Sequence, residues 1–318
     1  MADWRPSASL GVIRQRAELL AAIRAFFAGR GVLEVDTPLL AAHTVTDPAL
    51  QPLIVRNCVL SDHPRYLQTS PEYAMKRLLA AGSGPIYQIA HAFRDAEQGR
   101  WHNPEFTLLE WYRPGFDLDA LMTEVAELVL PLLGREHTRR YRYRDLFLDT
   151  LGLDPFAATD DELAASARRC VDAASLQGGR DLWLDLLMTH AIEPVLAQQG
   201  VVFIHDYPAS QAALARCTRS DGVEVAARFE LYVDGIELAN GFHELADAQE
   251  QARRFARDNH LRRQRGLPER EADGYLLAAL EAGLPDCSGV ALGLDRLLMV
   301  LCAAPQLSTV LPFDWHRS

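Results

Sequence analysis

FRDAEQGRWHNPEFTLLEWY, residues Phe93–Tyr112, divides at Pro104. Before it, Pro85–Arg94 is an apolar run (IYQIAHAF) of strand character, and after it Glu105–Tyr112 is a second strand rich in aromatics. The polar loop between them holds Arg94, Asp95, Glu97, Arg100, His102 and Asn103. Strand side chains alternate between faces, so Phe106, Leu108, Glu110 and Tyr112 share one face. An aromatic ring, an acid and a phenol make a poor core face and suit the floor of a polar ligand site. Arg94 and His102 flank the loop and can meet a polyanion. On these residues alone, an exposed hairpin with a charged tip explains the stretch equally well.

A second hairpin gives the sharpest geometry. RFELYVDGIELAN, residues 228–240, contains an Asp234-Gly235 turn between two strands. Pairing Val233 with Ile236 sets Tyr232 against Glu237 and makes Glu230 a diagonal neighbour of Glu237, roughly 5–8 Å away. Two carboxylates so placed repel, and one has a raised pKa unless a cation lies between them. Mg²⁺ takes such oxygens and leaves the rest of its shell to phosphate and water. A solvated strand face with two unrelated acids is the other reading.

The chain around these hairpins has 318 residues, long for an average domain and acceptable for one large α/β enzyme domain. With 49% hydrophobic and 24% charged residues, its composition is that of a globular protein. The net charge of −11 argues against a protein whose main task is gripping nucleic acid. Cys58, Cys170, Cys217, Cys287 and Cys302 form no CxxC pair, which suggests a reducing compartment and no zinc site. The start, MADWRPSASL, has no secretory pattern, and no apolar run is long enough to span a bilayer, so a cytoplasmic protein is expected. Lys76 is the only lysine, a bias consistent with codon composition.

Apolar spacing predicts helices over 14–29, 117–133, 160–172, 181–198, 247–265 and 271–282, and short strands over 32–36, 53–55, 66–69, 201–204 and 286–292. Ser70 and Pro71 open a further helix as N-cap and first residue, with Glu72 in the first turn, where an acid also serves the helix dipole. Gly241 is expected to bend the strand that carries it. Residues 134–200 carry no chemical motif. The arginine-rich run 253–265 reads as a solvated helix face, since acids interrupt it.

Five motifs in chain order carry a family resemblance that covers about 14–299. FR-x-x-E…HNPEFTxLEWY resembles motif 2 of the class II aminoacyl-tRNA synthetases in their lysyl form. GVLEVDTP (Gly31–Pro38) resembles motif 1 and GVALGLDR (Gly289–Arg296) motif 3, joined by SPEYAMKRL (Ser70–Leu78) and GIELANGFHEL (Gly235–Leu245). The resemblance implies an α+β catalytic core, a mainly antiparallel sheet flanked by helices, spanning 14–304. Residues 1–13 are then an N-terminal extension, 134–200 a helical, insertion-like segment, and 305–318 a C-terminal tail. It also implies a homodimer built on the motif 1 unit.

The same resemblance assigns roles. Arg94 and Arg296 are the catalytic cations, Arg94 on the α-phosphate of ATP and Arg296 with His102 at the γ-phosphate. Phe106 stacks on adenine, and Asn103, Glu237, Leu238 and Gly293 complete the ATP site. Glu230 and Glu237 hold Mg²⁺. Glu72 receives the substrate amino group, Asn240 its carboxylate, and Glu244 with Tyr112 its distal ammonium, with Ser70, Glu110 and Ala291 in the same pocket. The expected reaction is in-line attack of the amino acid carboxylate on the α-phosphorus, then transfer from the adenylate to an acceptor amine or hydroxyl.

Three departures bear on the acceptor. No room is left before the first helix for the OB-fold that reads the anticodon, so tRNA is not the expected acceptor. Motif 3 has Ala291 in place of its middle glycine, a methyl that disfavours α-lysine. Motif 2 has Ala96 where FRxE has glutamate, and Glu97 stands next to it. With FHEL in place of FSEL, these features resemble the branch of the family that attaches (R)-β-lysine to a lysine side chain of elongation factor P. A minimal synthetase charging tRNA, an inactive regulatory paralogue and a synthetase-like asparagine synthetase are the alternatives. Retention of Arg94, Glu230, Glu237 and Arg296 speaks against the second, and the acid set at Glu110 and Glu244 against the third.

Overall fold

The computed structural model describes residues 4–56, 59–60, 62–172 and 176–318. Cys58 and the first three residues of the expected N-terminal extension lie outside that set. In chain order the elements are α1 (Leu10–Ala28), β1 (Leu33–Glu34), β2 (Leu40–Ala41), β3 (Ile54–Val55), β4 (Arg65–Leu67), α2 (Glu72–Ala80), β5 (Ile86–Phe93) and β6 (Glu105–Pro114). Then come α3 (Leu118–Leu133), β7 (Arg139–Arg142), α4 (Tyr143–Leu151), α5 (Asp160–Cys170) and α6 (Arg180–Leu187). A π-helical turn (Met188–Ile192) leads to α7 (Glu193–Leu196), β8 (Val201–Pro208), β9 (Cys217–Ser220), β10 (Val223–Val233) and β11 (Ile236–His243). Last are α8 (Ala248–Gln264), α9 (Gly274–Gly283), β12 (Cys287–Gly293) and α10 (Leu294–Leu301). Among the described residues no helix is long and apolar enough to cross a membrane.

The chain separates into two compact units, residues 1–116 with 246–318, and residues 117–245. In the first, the strand order is β1-β5-β6-β12, with β1 parallel to β5 and the other pairs antiparallel. Its core gathers Ile23 and Phe27 of α1 with Tyr87 of β5 and Trp111 of β6, the rings of Phe27 and Tyr87 stacked at 4.3 Å. α1 begins earlier than its apolar spacing predicts because Ser9 caps it, its Oγ accepting from Val12 N at 3.3 Å.

In the second unit the order is β11-β10-β8-β7, with β9 on β10. Leu184, Leu187, Ile192, Val202 and Ile204 lie in its fully buried core. The Asp234-Gly235 turn has φ of 50° and 80°, the double left-handed geometry of a type I′ hairpin. Two features depart from expectation. Residues 134–200 are not wholly helical, since β7 pairs parallel to β8 from Arg139↔Val202 to Arg142↔His205. And β11 runs unbroken through Gly241, which pairs with Phe229. The irregularity lies instead where Leu231 pairs Ala239 while Tyr232 pairs Glu237, leaving Leu238 as the extra residue of a β-bulge.

Candidate functional site

In the first unit, the registers give one sheet face a continuous floor. Ile86, Gln88 and Ala90 of β5 stand opposite Tyr112, Glu110 and Leu108 of β6, and these stand opposite Gly289, Ala291 and Gly293 of β12. The shared face of Leu108, Glu110 and Tyr112 is therefore as the alternation predicts. Ala291 is the direct cross-strand partner of Glu110, a relation that places Cβ atoms about 4.5–5.5 Å apart.

Glu110 is 2% exposed. Ser70 Oγ donates to its Oε2 and Tyr112 Oη to its Oε1, both at 2.7 Å. Burial first, and the nearby Glu72 carboxylate second, push its pKa up to about 7 in spite of these bonds. Ser70 works twice, since its Oγ also accepts from Glu72 N at 3.0 Å. The cap position itself falls on Pro71 rather than Ser70, and α2 starts at Glu72. Lys76, one turn on, is 2% exposed and donates to Glu72 Oε1 at 2.6 Å. The sole lysine is thus an internal counterion in an acid cluster, a role for which the sequence offered only the i,i+4 spacing to Glu72.

The loop between β5 and β6 carries the cations. The Arg94 guanidinium lies 5.0 Å from the Phe106 ring centroid and 3.7 Å from Glu97 Oε1. Arg94 Nε is buried with no hydrogen-bond partner among the described residues. A buried donor without an acceptor costs about 1–3 kcal/mol, so this atom calls for an anion. Glu97 approaches Arg94 where the motif's glutamate is replaced by Ala96, which takes a left-handed φ of 62°.

Arg296, in the first turn of α10, donates from Nε to Trp101 O at 3.2 Å and meets His102 Nε2 at 2.8 Å. Burial, then the Arg296 charge, lower the pKa of His102, so the imidazole is neutral and accepts from the guanidinium. His102 holds Arg296 in place rather than adding a second charge. Asn103 spends its side chain locally, Nδ2 donating to Glu105 O at 2.6 Å and Oδ1 accepting from Trp315 N at 3.1 Å. Gly293 ends β12 and caps α10.

Behind these groups lies a buried knot, built from Asp295 of motif 3, Thr107 of motif 2 and Arg16, which belongs to no quoted motif. Asp295, 2% exposed, accepts from Thr107 N at 2.6 Å and from Arg16, whose other nitrogen donates to Thr107 Oγ1 at 2.6 Å. It ties α1, β6 and α10 together directly beside Phe106 and Arg296.

In the second unit, the bulge decides which side chains share a face. With Tyr232 opposite Glu237 and Glu230 opposite Asn240, the face carries Glu230, Tyr232, Glu237 and Asn240. An unbulged strand would set Glu237 and Asn240 on opposite faces, three residues being an odd step. Glu230 accepts from Tyr207 Oη at 2.6 Å, from Tyr232 Oη at 2.7 Å and from Arg228. Arg228 also donates to Asn240 Oδ1 at 3.0 Å and lies 4.6 Å from the Tyr207 ring centroid. The alternation that sets Arg228 and Glu230 on one face is legible in the sequence, though Arg228 has no role in the motifs.

Glu230 and Glu237 fit a hard divalent cation in donor type and in sharing a face. Glu230 is held rigid by Arg228 and two phenols, and Glu237 is the more accessible of the two. Among the described residues no group of three or more His, Cys, Asp or Glu forms a metal-binding set, so an ion here would need its other ligands from water or phosphate. Leu238 is buried, and Glu244, 1% exposed, follows β11 with its carbonyl accepting from Arg216 Nε at 3.2 Å.

Compared with known proteins, residues 1–316 match the family of tRNA synthetases class II (D, K and N). The chain is similar to the elongation factor P–(R)-β-lysine ligases of Edwardsiella ictaluri (48% identical), Salmonella typhi (49%) and Proteus mirabilis (48%). Each match covers 100% of this chain and 99% of the relative.

Proposed function

Because the chain belongs to the class II tRNA synthetases (D, K and N), we propose that it activates (R)-β-lysine with ATP and transfers it to a lysine side chain of elongation factor P. The observation that carries the amino acid choice is Ala291 opposite Glu110. A methyl there narrows the floor of the amino acid pocket, which disfavours α-lysine. Full-length similarity to ligases of that name supports the acceptor.

In this reading Glu72 receives the substrate amino group, Asn240 its carboxylate, and Glu244, Glu110 and Tyr112 its distal ammonium, with Ser70 orienting Glu110. Buried carboxylates demand a cationic ligand, and an uncharged isostere that leaves them unpaired is rejected by as much as roughly 10⁴–10⁵. The carboxylate attacks the α-phosphorus in line, pyrophosphate leaves, and the acceptor amine then attacks the adenylate carbonyl and releases AMP. Arg94 neutralises charge on the α-phosphate, Arg296, oriented by His102, does so at the γ end, and Phe106 underlies adenine. Asn103, Gly293 and Leu238 shape the nucleotide site. Glu230 and Glu237 would hold magnesium, which would supply further charge neutralisation on the phosphates. Such catalysis rests on positioning and electrostatics. The motif 1 unit exposes Leu33 and Leu40, a surface that supports a homodimer, and the chain acts in the cytoplasm.

The test is the intact mass of elongation factor P after incubation with this protein, Mg-ATP and (R)-β-lysine, with α-lysine and lysine tRNA run in parallel. A mass gain on the factor with β-lysine and no tRNA charging is expected. Charging of tRNA without modification of the factor would overturn the proposal.

A further inference from the structure

Residues 305–318 grip the loop that carries the proposed triphosphate contacts. Leu307 N donates to Arg100 O at 2.9 Å, and Arg100 Nε donates to Pro305 O at 2.9 Å. Trp315 N donates to Asn103 Oδ1 at 3.1 Å, and Gln98 Nε2 meets His316 Nε2 at 2.6 Å. The tail is itself seated. Leu307, Val310 and Leu311 are buried. Ser7 N and Ala8 N donate to Pro312 O and Leu311 O at 2.8 and 3.1 Å, and Arg317 donates to Arg5 O at 3.0 Å. From inside, Arg296 holds the same loop at Trp101 and His102. The stretch Gln98–Asn103 is thus fixed from two sides, with no interaction spent by the nucleotide.

We infer that Trp315 and His316 are positioning residues for ATP. They order Asn103 and Gln98 so that His102 and Arg296 stand ready before the nucleotide arrives. A long polar loop that must be ordered on binding lowers affinity by the entropy it loses, and a loop ordered in advance does not. This inference rests on the nucleotide assignment made above. It predicts a cost in ATP affinity, with the chemical step untouched, when the grip is released.

The experiment compares the wild-type chain with His316→Ala, Gln98→Ala, the double variant and His316→Gln. Two readouts are taken: amino-acid-dependent ATP–pyrophosphate exchange, and the rate of tryptic cleavage after Arg100, which is exposed in the loop. The expected result is a KM for ATP raised about three- to tenfold with kcat held. The double variant is no worse than either single one, His316→Gln recovers part of the loss, and cleavage after Arg100 is faster in the alanine variants. Unchanged KM and unchanged cleavage, or additive effects of the two single changes, would overturn it. Absence of exchange in the wild-type chain would sink the nucleotide assignment instead, and the cleavage rates would still decide whether the tail orders the loop.

Discussion

Glu110 is a buried carboxyl group, and the proposed function gives it a cationic partner. Burial and Glu72 hold its pKa near 7, against an ordinary value of 4.5. Between these two values the folded chain retains a proton that the unfolded chain has lost. Stability therefore falls as pH rises from 4.5 through 7 and is flat above. An ammonium ligand reverses the preference by stabilising the ionised form. The KM for the amino acid should rise as pH falls below about 7, and binding at pH 7 should release protons, measurable by calorimetry in buffers of different ionisation enthalpy. Glu110→Gln should raise the melting temperature at pH 8 by about 3 °C while lowering kcat/KM for the amino acid about 10- to 100-fold. A variant with unimpaired kcat/KM would remove Glu110 from the pocket. Its cross-strand partner offers the companion change. Ala291→Gly deletes one methyl, and the preference for β-lysine over α-lysine, read as a ratio of kcat/KM, should fall about tenfold.

At the level of elements, Asp295 is the common node of α1, β6 and α10. Asp295→Asn keeps the shape but gives up the charge that faces Arg16. Urea denaturation should show a loss of about 2 kcal/mol, and the KM for ATP should rise because Phe106 and Arg296 adjoin the knot. Unaltered stability would mean the knot is ornamental. Much of this layer was legible in the sequence. The two hairpins, the Asp234-Gly235 turn, the shared face of Leu108, Glu110 and Tyr112, and the pairing of Tyr232 with Glu237 all follow from period-two alternation and turn chemistry. What escaped has a physical reason. A bulge shifts a register without leaving a mark in composition, so the common face of Glu237 and Asn240 could not be read. β7 is four residues, three of them arginine, and shows no alternation. Arg16, Thr107 and Asp295 lie far apart in sequence, and nothing local announces a contact between them.

At the scale of the whole molecule, the −11 charge sits on a chain whose lysine and arginine side chains are, with one exception, arginine. The exception, Lys76, is sealed at 2% exposure against Glu72. An amine-reactive ester should therefore leave every side chain of the native protein unlabelled and mark Lys76 only after denaturation, as peptide mass mapping would show. Rapid labelling of Lys76 in the native state would mean that the acid cluster opens to solvent. The consequence reaches the proposed chemistry. An aminoacyl-adenylate, a mixed anhydride, acylates whatever uncharged ε-amine it meets, and arginine, which stays protonated, is no nucleophile at neutral pH. A catalyst that releases such an anhydride beside its own surface lysines would slowly become its own product. Here the one side-chain ε-amine is buried against the Glu72 carboxylate, so in the proposed reaction the activated group would be spared for its acceptor.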